Sequence, residues 1–158
     1  MTKQEERWRQ AFGAYDTLRA RVQNQVARWE WADDERYDPR PFYFERSKLR
    51  RGQVIPGPEG DLGGLWHYGF DGADRLIYAR GYPARALHED QCLEEFTLYS
   101  EALVEWIRFA QYQPKIPVRV AHQMRKRGQP EAYSAFTIEP GPVLGELTAD
   151  QALAQAAA

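Results

Sequence analysis

A chain of 158 residues is the size of one domain, long enough to bury a core without disulfides or metals to support it. Its 43% hydrophobic and 28% charged fractions are ordinary, whereas 13% aromatic, with five Trp and nine Tyr, is heavy and favours strands, cores and interfaces. A formal charge of −2 lacks the basic excess of a protein that grips phosphates, which argues against nucleic acid as a partner.

Cys92 is the only cysteine, so no intrachain disulfide is possible. Its neighbours Asp90, Glu94 and Glu95 would raise a thiol pKa, and a small buried apolar residue is expected there rather than a nucleophile. The segment from Met1 to Arg7 has no apolar core of the kind a signal peptide needs. No run approaches the roughly 18 apolar residues of a membrane span, so a cytoplasmic protein without membrane contact is expected.

Trp8, Tyr15, Val22 and Trp29 recur every seven residues, with Ala11, Phe12, Leu18 and Val26 between them. That spacing predicts one long N-terminal helix with an apolar stripe, started by a capping box at Thr2 and Glu5. The same stripe is compatible with a weak homodimer, although packing on the domain's own sheet accounts for it and leaves a monomer. The helix is expected to end between Trp31 and Asp34, because Asp33-Asp34-Glu35 opposes the negative end of its dipole and Asp38-Pro39-Arg40-Pro41 cannot continue it.

Phe42-Tyr43-Phe44 and Gln53-Val54-Ile55 read as short strands around the basic stretch from Arg46 to Arg51. The glycine- and proline-rich segment from Pro56 to Gly64 is a loop by composition. Trp66 to Tyr78 is the sharpest local signal: an aromatic alternation, a turn at Asp71-Gly72-Ala73-Asp74, then an apolar strand. Four further strands are expected at about 92–99, 103–109, 118–124 and 133–138, joined by turn-sized separators and hence antiparallel. Leu98, Ala102, Trp106 and Phe109 would also line one side of a helix, but the β-branched and aromatic content favours strands. After Pro140-Gly141-Pro142, Thr148 and Gln151 have the spacing to cap an alanine-rich helix. The reading is a single α+β domain over 1–143, a long N-terminal helix packed on a largely antiparallel β-meander, with a short alanine-rich tail at 144–158.

No catalytic constellation emerges. His67, His88 and His122 stand at no metal-ligand spacing from one another or from Cys92, and no metal or cofactor is expected. His67 falls on the strand face opposite Trp66, Tyr68 and Phe70, where an exposed or edge position is expected. His122 falls on the face of Val118, Val120 and Met124, as a core histidine. The acids Glu89, Asp90, Glu94, Glu95, Glu101 and Glu105 read as a solvated face, complementary to a basic partner if it binds one. The loop from Gly57 to Gly64 lacks the Lys-Ser or Lys-Thr of a phosphate cradle. The basic runs Arg46 to Arg51 and Arg125-Lys126-Arg127 read as solvated turns.

The hairpin from Tyr68 to Ile77 resembles the tyrosine-aspartate repeat of bacterial Rhs proteins, in which an aromatic-Asp pair leads through a turn to Arg-Leu. Phe70-Asp71 and Arg75-Leu76 stand in those places, and Asp74 replaces the glycine usual before the Arg. One copy does not make an Rhs shell. Small cytosolic proteins encoded beside polymorphic toxins carry such hairpins, and the whole organisation looks like that of a bacterial immunity protein of an Rhs-type toxin system. The resemblance implies a non-catalytic protein that occludes the active site of one cognate toxin domain, with no functional residue carried over.

The expected function is therefore a protein-binding module rather than an enzyme, with aromatic anchors and a charged rim. Candidate partner-binding residues are Trp66, Tyr68, Tyr82, Tyr99 and Trp106 with Glu94, Glu95 and Glu105. The rival readings are a small apolar-ligand protein with an aromatic-lined pocket and a small enzyme that uses Glu95 or Glu105 with a histidine.

Overall fold

The computed structural model describes residues 1–84, 92–110, 115–124, 133–138 and 148–157. Its strands are β1 (Arg28–Ala32), β2 (Val54–Ile55), β3 (Trp66–Phe70), β4 (Leu76–Gly81), β5 (Leu93–Tyr99), β6 (Leu103–Phe109), β7 (Pro117–Met124) and β8 (Tyr133–Thr137). Helices are α1 (Lys3–Ala11), α2 (Tyr15–Gln25), α3 (Tyr43–Ser47) and α4 (Ala149–Ala157). The strands form one sheet in the order β2-β1-β3-β4-β5-β6-β7-β8, every pairing antiparallel. The α+β class and the meander from β3 onward match the sequence reading. Residues 95–109 are two strands, paired from Glu94 with Phe109 through Tyr99 with Val104.

The N-terminal helix corrects the expectation: it is short, not long. Thr2 caps α1 as anticipated, its hydroxyl accepting from the Glu5 amide at 3.1 Å, but the helix stops at Ala11. Gly13 follows at φ +84°, a left-handed conformation that reverses the chain and that a side chain would resist. A second helix, α2, then ends at Gln25. The stripe residues Trp8 and Val22 do face the core, whereas Trp29 belongs to β1 and is 45% exposed. Pairing of β1 with β3 over five positions outweighs continuation of the heptad. The expected strand at 42–44 is replaced by α3, entered through Phe42 at φ +56° and left through Lys48 at φ +55°.

Directly paired residues point to the same side of a sheet. The main core lies on one face, where Tyr78, Phe96, Ile107 and Val120 form a continuous cross-strand row. Helices α1 and α2 cover that row with Trp8, Ala11, Leu18 and Val22. Trp8 is fully buried and its indole donates to the Pro117 carbonyl, which pins α1 to β7. The predicted box at Thr148 and Gln151 forms in both directions, at 2.9 and 3.2 Å, and starts α4. Ala152 of α4 is fully buried in the same core, and Asp150 pairs with Arg9 of α1 at 2.7 Å. The opposite face carries a second, smaller cluster of Ala32, Tyr68, Phe70 and Ala79, with Tyr37 and Trp66 against it.

The turn of the β3–β4 hairpin follows from its aspartates. Asp71 accepts from the amides of Ala73 and Arg75 and from the Arg75 guanidinium, at 3.0, 2.9 and 2.9 Å. Asp74, at the place where the repeat motif carries glycine, adopts φ +60°, a left-handed conformation that glycine takes without steric cost. The basic residues Arg50 and Arg51 are exposed as expected. His88, Glu89, Asp90, the run Arg125 to Arg127, the turns expected at 113–114 and 126–130, the break at 140–142 and the first part of the expected tail lie outside the described residues. No helix among the described residues is long and apolar enough to cross a membrane.

Candidate interaction surface

Two cross-strand rows on the helix-bearing face emerge from under α2 at the β1 end of the sheet. One runs Trp31–His67–Arg80–Glu94 and the other Trp29–Gly69–Tyr78. His67 is sandwiched between the two indoles, its ring centroid 3.9 Å from Trp31 at 9° and 4.5 Å from Trp29 at 25°. Burial, aided by the charge of Arg80, pushes its pKa down to about 4, so the ring is neutral near pH 7. The sequence placed His67 on this face correctly, but it is a half-buried member of a stack rather than an exposed edge residue. Gly69 is the bare floor beneath Trp29: a Cβ there would come within 2.9 Å of Val26, 3.3 Å of the Trp29 ring and 3.4 Å of the Tyr78 Cβ.

Beside this stack sits a polar cluster centred on Glu94. Its carboxylate accepts from Tyr15 and Arg19, each at 2.5 Å, and from the Tyr78 hydroxyl, with the Lys115 ammonium at 3.5 Å. Burial alone would raise its pKa, but the two tyrosine hydroxyls and the charges of Arg19 and Lys115 outweigh burial and hold it below the usual range. Arg80 donates to the Tyr78 hydroxyl at 2.7 Å. Glu94 thus ties α2 to β4 and β5, with both carboxylate oxygens engaged by internal donors.

The reverse face carries a second network in register. Glu95, Arg108 and Arg119 are direct cross-strand neighbours, and Glu95 accepts from Arg108 at 3.0 Å and from Arg119 at 2.8 Å. The segment after β1 folds over them and delivers Asp38, whose side chain is fully buried, 3.8 Å from Arg108 and 3.9 Å from Arg119. Arg40 pairs with Asp38 at 2.8 Å. Burial would raise the Asp38 pKa, but hydrogen bonds from Arg40 and Glu35 overcome it and keep the carboxylate ionised. Glu35 responds oppositely: burial, with a hydrogen bond to Asp38, pushes its carboxyl up to about 7.

The candidates named from sequence divide between interior and surface. Tyr68, Tyr82, Glu94 and Glu95 are buried, which corrects their proposed surface role and, for the two glutamates, the expectation of a solvated acidic face, whereas Glu101 is exposed. Tyr68 uses its hydroxyl to accept from the Arg36 amide at 2.9 Å, and the two glutamates are spent on internal cations. Trp66, Tyr99, Glu105 and Trp106 are half-buried. Trp66 stacks on Tyr68 at 5.9 Å, Arg75 lies 4.7 Å above the Tyr99 ring, and Trp106 approaches Tyr133 at 6.2 Å. Register sets Glu95 and Glu105 on opposite faces, so they cannot act as a pair. Burial raises the Glu105 pKa, opposed by Arg7.

Trp66 and Tyr99 sit at opposite ends of the strand rows, and the four do not form one patch. Trp29 is the exposed tryptophan instead, with the half-buried Trp31 two residues along the same face. The alternation Arg28-Trp29-Glu30-Trp31-Ala32 is the period-two signal that marked them.

Burial, then the charge of Glu94, raises the Cys92 thiol to about 11, and the side chain is 1% exposed. His122 bonds Ser134 at 2.9 Å, and burial, then Arg7, lowers its pKa. A polar cleft of about 320 Å³ opens among Asp33, Asp34, Arg50, Arg51, Gly52 and Gln53, with no aromatic side chain in its lining. Among the described residues, no three His, Cys, Asp or Glu are grouped to hold a metal ion. Comparison with known proteins finds no matching family model, no matching curated protein and no matching solved structure.

Proposed function

We propose that the protein is a non-catalytic protein-binding module, a cytoplasmic bacterial immunity protein that occludes the active site of a cognate toxin domain. The observation that carries this reading is Trp29: a large ring, 45% exposed, stacked on His67 and held on a paired strand. Rigid exposed aromatics on a stiff scaffold are what protein interfaces use as anchors, because little conformational entropy is lost on binding. The Glu94 and Glu95 networks support the same reading, since ion clusters stiffen a sheet and leave neither glutamate free as a base. The test is capture of partners by the tagged protein in its native host, followed by inhibition assays. Recovery of the C-terminal domain of a large secreted toxin whose activity the pure protein suppresses is the expected result. Recovery of the protein alone, with no toxin domain inhibited, would overturn it.

A small enzyme is the second reading, favoured by Glu35, whose carboxyl is raised to about 7 beside Asp38 and Arg108. Against it, Asp38 is wholly enclosed and its charge is already matched by arginines.

A further inference from the structure

We infer that the helix-free end of the sheet docks an acidic segment of a partner protein, with Trp29 receiving an apolar side chain and Arg80 and Arg19 receiving a carboxylate. The inference deepens the protein-binding reading and rests on it. The patch continues, through Trp29, His67 and Trp31, the rows that α1 and α2 bury elsewhere, with Trp29 exposed and His67 and Trp31 half-buried. Its apolar part is preformed, because the indoles and the imidazole brace one another and Gly69 leaves room for Trp29 to lie flat.

The charge beside the patch selects the partner. Arg19 and Lys115 pair with Glu94, which among the described residues is the only carboxylate within ion-pair reach of either, and Arg80, the cross-strand neighbour of Glu94, donates to the Tyr78 hydroxyl beside it. Among the described residues, three cations stand here against one carboxylate, a local positive surplus in a protein whose overall formal charge is −2. Lys115 is 6% exposed and serves the interior, whereas the Arg19 side chain is 30% exposed and Arg80 is half-buried beside His67. An incoming carboxylate therefore meets two guanidiniums whose charge Glu94 only partly offsets, and an incoming cation meets repulsion. The complementarity is opposite in sign to an acidic face that seeks a basic partner.

Titration of the whole protein with two blocked pentapeptides, Asp-Glu-Leu-Asp-Glu and Lys-Lys-Leu-Lys-Lys, tests this by tryptophan fluorescence and amide chemical shifts. The acidic peptide is expected to bind, to shift the Trp29 indole and the Arg80 amide, and to weaken steeply with salt, while the basic one is inert. Trp29→Ser and Arg80→Gln should each weaken it by roughly tenfold or more. Trp29→Ser, at an exposed position, keeps the test valid if Arg80→Gln disturbs the Tyr78 hydrogen bond. Equal binding of both peptides, no binding of the acidic one at millimolar concentration, or shifts confined to another surface would overturn the inference. A captured toxin that footprints elsewhere removes this surface and leaves the immunity reading standing. Acidic-peptide binding here without any captured toxin does the reverse.

Discussion

Arg119 donates to Glu95 at 2.8 Å on the reverse face of the sheet, and neither side chain is more than 8% exposed. Arg108 shares the same carboxylate oxygen at 3.0 Å. Removing one partner of such a cluster strands buried charge, so Glu95→Ala should cost about 3–5 kcal/mol, read from urea unfolding. Replacing Glu95, Arg108 and Arg119 together by apolar residues of similar volume should cost far less. A loss under about 1 kcal/mol for the single variant would show that the cluster is hydrated rather than buried.

Glu35 ties stability to pH. Its carboxyl is raised to about 7 in the fold, chiefly by burial, so the folded protein holds a proton that the unfolded chain releases near the ordinary carboxylate value. The stability it contributes is complete at low pH and is lost as pH rises through that window towards about 7. Asp38 has the opposite sign: arginines hold it ionised, so its contribution is present at neutral pH and lost in strong acid. Chemical denaturation of Glu35→Gln across pH 5 to 8 should lack the decline seen in the parent. An identical pH profile for the two proteins would refute this assignment.

Asp71 should matter more to the hairpin than Arg75 does. The aspartate accepts from two turn amides as well as from the Arg75 side chain, whereas Arg75 is exposed. Asp71→Ala should therefore cost about 1–2 kcal/mol, and Arg75→Ala less than about 1 kcal/mol. Equal losses in thermal melts would place the turn's stability in the ion pair instead.

Cys92 should resist alkylation in the native protein at neutral pH, because its thiol is 1% exposed and raised to about 11. Reaction with iodoacetamide should appear with unfolding and track the fraction unfolded in urea. Rapid native labelling would mean that the β5 end opens locally.

Periodicity in the sequence is clearest where each residue answers only to its own strand. Trp66 to Tyr78 alternates around an Asp-Gly turn, and Thr148 with Gln151 encodes a cap, and both form as read. The heptad from Trp8 misled because Tyr15 and Val22 keep the spacing across Gly13, whose left-handed φ breaks the helix without disturbing the pattern. Trp29 then falls on the stripe by coincidence, although β3 claims it. The burial of Glu94 and Glu95 was not legible, because their partners come from α2, β6, β7 and Lys115, none of them a near neighbour in the chain. Asp38 read as a helix stop for the same reason: Arg108 and Arg119, which it meets, lie far along the sequence.

The bond from the Trp8 indole to the Pro117 carbonyl also sets an order of events. Helix α1 leaves a ribosome well before its docking site, β7, is made, and the α4 residues beside it come later still. The helix must wait undocked, with a large apolar ring in water, until the sheet is nearly complete. Such non-local closure slows folding and exposes the waiting chain to aggregation. Trp8 is thus a latch that shuts late.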